Sequence, residues 1–117
     1  MSFFRAGKGG GAITEKAFTW VGTVPSGGHI DFGMTEKPKR FVIFMYTSQY
    51  TQKYRAIRYD EDISDSAFDT WQDGTYYSNR AFNSSNELNG ITKQGSTWGV
   101  DVNYVSTWSS VWFYAEA

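Results

Sequence analysis

His29 is the one histidine of the 117 residues, and Asp31 stands two positions after it. With a serine brought in from elsewhere, the pair would supply the residue types of a nucleophile–base–acid triad. The Gly-x-Ser-x-Gly turn that exposes a nucleophile is missing, so His29 is expected to be structural or solvated. The carboxylates gather farther along: Asp60, Glu61, Asp62, Asp65, Asp69 and Asp73. Asp60 and Asp62 have a spacing that suits calcium, a hard cation taking six to eight oxygens. An EF-hand loop starting at Asp60 would need glycine at its sixth position and glutamate at its twelfth. The sequence has Asp65 and Trp71 there. The run is therefore read as a solvated turn, and no metal ligands are assigned. Two of these carboxylates flanking a sugar linkage would be the apparatus of a small glycan hydrolase, the least favoured of the readings developed below.

Two glycine-containing motifs carry no chemistry. Gly7-Lys8-Gly9-Gly10-Gly11 lacks the Gly-x4-Gly-Lys-Ser/Thr order of a phosphate loop, and a strand pattern follows it where such a loop opens a helix. Asp31-Phe32-Gly33 repeats a kinase triplet in a chain too short to be a kinase. No catalytic residue and no cofactor is assigned.

The aromatic residues are more informative. The chain has 5 Trp, 8 Tyr and 9 Phe, and no cysteine. That is more rings than a core of this size needs. Phe18, Phe32, Phe41, Phe44 and Phe113 lie on apolar stripes and are expected in the core. Tyr50, Tyr76, Tyr77, Trp98 and Trp108 fall in or beside loops and hairpins. Such rings stack on the C–H faces of sugars, while Asn79, Arg80, Asn83, Asn86 and Asp101 could bind hydroxyl groups, a combination typical of ligand sites. The five rings with Asn79, Arg80 and Asp101 form the eight-residue ligand-binding set expected from the sequence. Packing between strands or subunits is the competing role for each ring.

The elements that must position these residues read as short strands. From Ala17 to Val24 the pattern has period two, and Pro25-Ser26-Gly27-Gly28 turns the chain. Ile30, Phe32 and Met34 alternate with polar or small residues. Phe41–Tyr46 is apolar throughout, as in a central strand covered on both faces. Lys53–Asp60 is a further strand. Phe68–Gln72 fits a strand or a helical turn, and Asp73-Gly74 predicts a hairpin with Thr75–Phe82 as its second arm. Leu88 and Ile91 anchor a weak segment. Trp98, Val100, Val102 and Tyr104 alternate cleanly, Ser106–Ser110 reads as a loop, and Val111–Ala115 is a last strand expected to pair inside a sheet. Eight or nine strands with turns every eight to twelve residues predict an all-β chain, an antiparallel, jelly-roll-like β-sandwich. Residues 1–15 are expected to be a flexible glycine-rich leader and residues 16–117 a single β-sandwich domain.

Composition narrows the function class. Eleven basic and twelve acidic residues leave a net charge of -1, which gives no electrostatic reason to expect nucleic acid. The start of the chain has no apolar signal-peptide region, and no apolar run is long enough for membrane insertion. Absence of cysteine excludes a disulfide framework and thiolate metal sites.

Four segments together resemble a known family. Val24-Pro25-Ser26-Gly27-Gly28-His29-Ile30-Asp31-Phe32, Lys37-Pro38-Lys39-Arg40 running into the Phe41–Tyr46 strand, Tyr59-Asp60-Glu61-Asp62-Ile63-Ser64 and the closing Trp112-Phe113-Tyr114-Ala115 are similar to small β-rich modules of bacteriophage tail and tail-fibre, receptor-binding proteins. The resemblance covers most of residues 20–115. It implies a β-sandwich, homo-oligomeric assembly with a trimer favoured, other tail proteins as partners, a bacterial surface glycan as ligand, and a virion location after synthesis in the bacterial cytoplasm. The expected function is host recognition through carbohydrate binding. A ligand-free structural virion protein is the alternative, ahead of the hydrolase.

Overall fold

In a computed structural model of the protein, residues 18–25, 27–48, 54–103 and 107–117 are described. The leader expected at residues 1–15 and the candidate Tyr50 lie outside them. The described residues form nine strands and no helix: β1 (Thr19–Pro25), β2 (His29–Met34), β3 (Arg40–Tyr46), β4 (Tyr54–Asp60), β5 (Ala67–Gln72), β6 (Thr75–Ala81), β7 (Leu88–Gln94), β8 (Thr97–Val102) and β9 (Thr107–Glu116). Two antiparallel sheets, ordered β1-β9-β3-β4-β5-β6 and β2-β8-β7, make a β-sandwich. The two ends of the chain wind together, first strand against last in one sheet and second against next-to-last in the other. That is the roll-up of a jelly roll, onto which β3 to β6 add a meander.

Local chemistry explains the joints. Asp73 and Gly74 both have positive φ, 48° and 92°, the backbone of a tight hairpin turn that matches strand twist. Gln72 and Thr75 pair directly across it, so the segment from Phe68 is a strand and not a helical turn. β3 lies between β9 and β4, the central place its unbroken apolar run predicts, but the expected cover on both faces is corrected: Phe41, Ile43 and Met45 are buried toward the other sheet, while Phe44 and Tyr46 on the outer face are only half-buried. β9 is also internal, paired to β1 and β3.

The core lies between the sheets. Phe41, Ile43, Met45, Ile57, Tyr59, Phe68, Val111 and Phe113 come from the large sheet and Ile30, Phe32, Leu88, Val100 and Val102 from the small one. At ~25 cal/mol per Å² of apolar surface removed from water, this burial is the main stabilising term. Phe32 packs on Phe41 and Phe113 with ring centroids 5.2 and 4.8 Å apart, and Phe41 stacks on Tyr59 at 5.0 Å. Toward one end the interior turns polar. Arg55 and Glu87 are buried there, with Arg55 Nε 3.1 Å from Glu87 Oε2.

Two positions expected in the core are corrected. Phe18 and Phe44 are only half-buried and pack on each other, centroids 5.1 Å apart, on the outer face of the large sheet. The expected loop at Ser106–Ser110 is corrected for its described part, because Thr107 to Ser110 belong to β9. The pairing of β1 with β9 shows why Trp108 turns inward. Between Trp20 and Gly22 the register gains one residue on β1, and between Gly22 and Val24 one on β9. These two bulges compensate, and each reverses the in–out alternation of its strand. Trp20 and Trp112 therefore face out, while Val24 and Trp108, paired four residues farther along, face in.

Candidate aromatic binding face

The outer face of the six-stranded sheet carries a continuous register row. Trp20 pairs with Trp112, Trp112 with Phe44, Phe44 with Ala56, Ala56 with Trp71 and Trp71 with Tyr76. Side chains at paired positions lie side by side on one face, so one row crosses all six strands with an aromatic residue on every strand except β4. Trp20 and Trp112 meet at 4.9 Å between ring centroids, and Trp71 and Tyr76 at 4.7 Å. Trp20 is 56 % exposed, Tyr76 50 % and Trp112 36 %. Large rings so exposed on one face are unusual for a free surface.

Ala56 opens a gap in the row. Two residues along the strands stand Tyr46 and Tyr54, a cross-strand pair with centroids 4.9 Å apart. The methyl group of Ala56 thus floors a trough of about 570 Å³ walled by Phe44, Tyr46, Tyr54, Trp71 and Trp112, with Ser110, Asp73 and Gly74 at its rim. The walls offer ring faces and the rim offers polar groups.

Beyond the row the face becomes polar. Arg58 pairs in register with Asp69 and forms a 2.5 Å ion pair with it, while its guanidinium lies 5.5 Å from the Trp71 ring centre. A bulge in β6 adds a residue opposite the interval Phe68–Thr70. Asn79 takes up the left-handed backbone there, with φ 57°, a conformation asparagine tolerates better than most residues. Its N–H donates to Asp69 Oδ1 at 3.2 Å. The result is a smaller hollow of about 250 Å³ lined by Arg58, Asp60, Ser64, Asp69, Tyr76, Ser78 and Asn79 among others. Burial, and then a hydrogen bond to Asp69, raise the pKa of Tyr76. A third row, Glu116, Arg40 and Asp60, closes the face with ion pairs of 3.4 Å on each side of Arg40. Asp62 also binds Arg40.

The eight residues expected to bind ligand are dispersed. Tyr76 and Asn79 meet in the small hollow. Tyr77 and Arg80 lie on the opposite side of β6, with the guanidinium 4.8 Å from the Tyr77 ring centre. Trp98 and Asp101 belong to the other sheet. Trp98 is half-buried opposite Met34 and Lys93. Asp101 accepts from Thr92 at 3.0 Å and stands 2.9 Å from His29 Nδ1. Trp108 is fully buried in the core, which removes its ring from solvent and corrects its assignment to a loop. Tyr50 falls outside the described residues. The row-forming rings Trp20, Phe44, Trp71 and Trp112 were not in the expected set. For Phe44 and Trp112 the signal is the parity within β3 and β9: Phe41, Ile43 and Met45 on one parity with Phe44 and Tyr46 on the other, and Val111 and Phe113 opposed to Trp112 and Tyr114.

The groups that suggested catalysis are engaged within the fold. His29 pairs with Asp101, not with Asp31, whose carboxylate accepts from the Gly33 N–H and Thr97 hydroxyl. Those two bonds hold the Asp31 carboxyl below the usual carboxylate range, the Gly33 bond most strongly. His29 Nε2 is buried without a hydrogen-bond partner, against Gly99 where a Cβ would lie 2.8 Å from it. Asp60 and Asp69 are held by Arg40 and Arg58. Among the described residues no group of three acidic, histidine or cysteine side chains is placed to hold a metal ion. Compared with protein-family models, curated proteins and solved structures, the chain matches none significantly.

Proposed function

We propose that this chain is a carbohydrate-binding module that uses the outer face of its large sheet, in the manner expected of a bacteriophage tail or tail-fibre protein recognising a bacterial surface glycan. The observation that carries the proposal is the cross-strand row Trp20–Trp112–Phe44–Ala56–Trp71–Tyr76 with a trough at its centre and a polar hollow beside it. Indole and phenol faces carry negative π density that attracts the weakly positive C–H groups of a sugar ring. The serine, asparagine and carboxylate groups next to them suit its hydroxyl groups. The test is binding of the labelled protein to a panel of bacterial polysaccharides and whole cells, with Trp71→Ala and Trp112→Ala alongside. Binding that is lost in folded variants supports the proposal, and absence of binding across the panel refutes it.

A second reading has its own support. The row is apolar and runs between two sheet edges, β1 and β6, so it would also suit a flat partner surface in a homo-oligomeric virion component. Under that reading the protein self-associates at micromolar concentration and Trp112→Ala dissociates it. Sedimentation of the two forms separates the readings.

A further inference from the structure

We infer that the ligand of this face is an uncharged, extended glycan gripped along interior residues of its chain, lying across the strands from the Trp20–Trp112 pair to the Tyr76–Asn79 hollow. The inference rests on the carbohydrate-binding reading above and adds to it the shape and charge of the ligand.

Shape follows from the row. Neighbouring strands are spaced about 4.8 Å apart, so six strands present ring positions over roughly 24 Å. An extended pyranose chain advances by about one such spacing per sugar, which matches one sugar to each strand crossed. The row begins on β1 and ends on β6, the two edge strands of the sheet. At each end the outermost ring is at least half exposed, Trp20 at 56 % and Tyr76 at 50 %. A site for a chain terminus needs a wall at one end of its platform. Among the described residues no wall stands at either end, so a longer polymer can continue past either edge.

Charge follows from the lining. Arg58 and Arg55 are the cations lining the trough and the hollow among the described residues, against Asp60, Asp69 and Asp73. Arg58 is neutralised by Asp69, and the Arg55 side chain turns inward to Glu87. Asp73 accepts from the Tyr54 N–H at 3.0 Å. Asp60 is held by Arg40 as Asp69 is by Arg58, so the lining keeps its cations in ion pairs, and Asp73 is its one carboxylate without a cationic partner among the described residues. A phosphate- or uronate-bearing polymer would meet repulsion there, while a neutral sugar can use the carboxylates as hydroxyl acceptors.

The experiment is calorimetric titration of the intact protein with neutral oligosaccharides of two to six residues, cut from whichever neutral polysaccharide it binds. A matched pair of polymers, one neutral and one carboxylated on the same backbone, is titrated in parallel. The expected result is affinity rising at least about tenfold from dimer to pentamer and at least about tenfold weaker binding of the carboxylated polymer. The neutral ligand should show little change between low and high salt. Tyr76→Ala, at an exposed position, should flatten the length dependence while the circular dichroism spectrum is unchanged. Equal affinity for dimer and hexamer, or preference for the anionic polymer, overturns the inference and leaves carbohydrate binding standing. Failure to bind any glycan overturns both.

Discussion

Removal of the Glu87 side chain tests how the polar end of the interior is held. The Arg55 side chain is 1 % exposed and that of Glu87 0 %, with Nε and Oε2 3.1 Å apart. Arg55 also donates to the Tyr54 carbonyl at 3.0 Å and lies 5.7 Å from the Trp108 ring centre. Arg80 approaches the second Glu87 oxygen at 3.3 Å, yet neither atom makes a hydrogen bond and the Arg80 side chain is 24 % exposed. An arginine cannot shed its charge, so Glu87→Ala leaves a buried cation without its carboxylate. Breaking one side of such a pair costs about 3–5 kcal/mol, a large part of the ~5–15 kcal/mol that stabilises a domain. For a chain of this length the melting temperature should fall by roughly 10–20 °C. Arg80→Ala should cost about 1 kcal/mol or less, because water already screens that contact. The double variant Arg55→Met with Glu87→Leu should be more stable than Glu87→Ala, since it removes both charges together. The assay is urea unfolding at neutral pH with linear extrapolation. Tryptophan fluorescence, to which the buried Trp108 beside Arg55 contributes with the other four indoles, follows the transition. A cost below about 1 kcal/mol for Glu87→Ala, or a double variant worse than the single one, would refute this account of the buried pair.

Other perturbations address the remaining parts of the molecule. Trp112→Ala and Trp71→Ala should weaken glycan binding at least about tenfold while Trp98→Ala, in the other sheet, leaves it unchanged; equal loss in all three would place the site elsewhere. Gly99→Ala should destabilise by about 3 kcal/mol or more, because its Cβ would lie 1.9 Å from the Ile30 carbonyl oxygen where β2 pairs with β8; a variant as stable as the parent would contradict that close approach. Stability should also fall in alkali. Burial raises the Tyr59 phenol to about 12, with Glu61, Asp65 and Asp60 adding to the shift. The folded state therefore favours the neutral phenol, and the unfolded chain ionises it near 10. The contribution is complete below pH 10 and is lost as pH rises to 12, on the order of 2–3 kcal/mol in all. Tyr59→Phe should flatten that part of the stability profile, and an unchanged slope would assign it to other groups such as Tyr114, which burial and then Glu116 also raise to about 12.

Much of the architecture was legible in the residues themselves. Alternation of apolar and polar residues is a property of the extended backbone, since successive side chains point to opposite faces. It located β1, β2 and β8, and the apolar run at Phe41–Tyr46 marked a central strand without reference to its neighbours, while β7 around Leu88 and Ile91 read only as a weak segment. Asp73-Gly74 announced its hairpin because two adjacent positive φ angles suit few residue pairs. The surplus of rings was evident from composition.

Which rings are exposed was decided by tertiary structure. Alternation assigns residues to two faces but does not say which face meets the other sheet. In β3 both faces read as apolar, and only the position of β2, β8 and β7 makes Phe41 core and Phe44 surface. The paired bulges of β1 and β9 are set by register between segments about ninety residues apart, and they turn Trp108 inward where a loop was expected. The aromatic row is a property of pairing alone. Trp20, Phe44, Trp71 and Trp112 are scattered along the chain, and strand order places them side by side. Local sequence determines where strands form because backbone geometry is local. The candidate site depends on long-range register, which is set by how both sheets bury their apolar faces together.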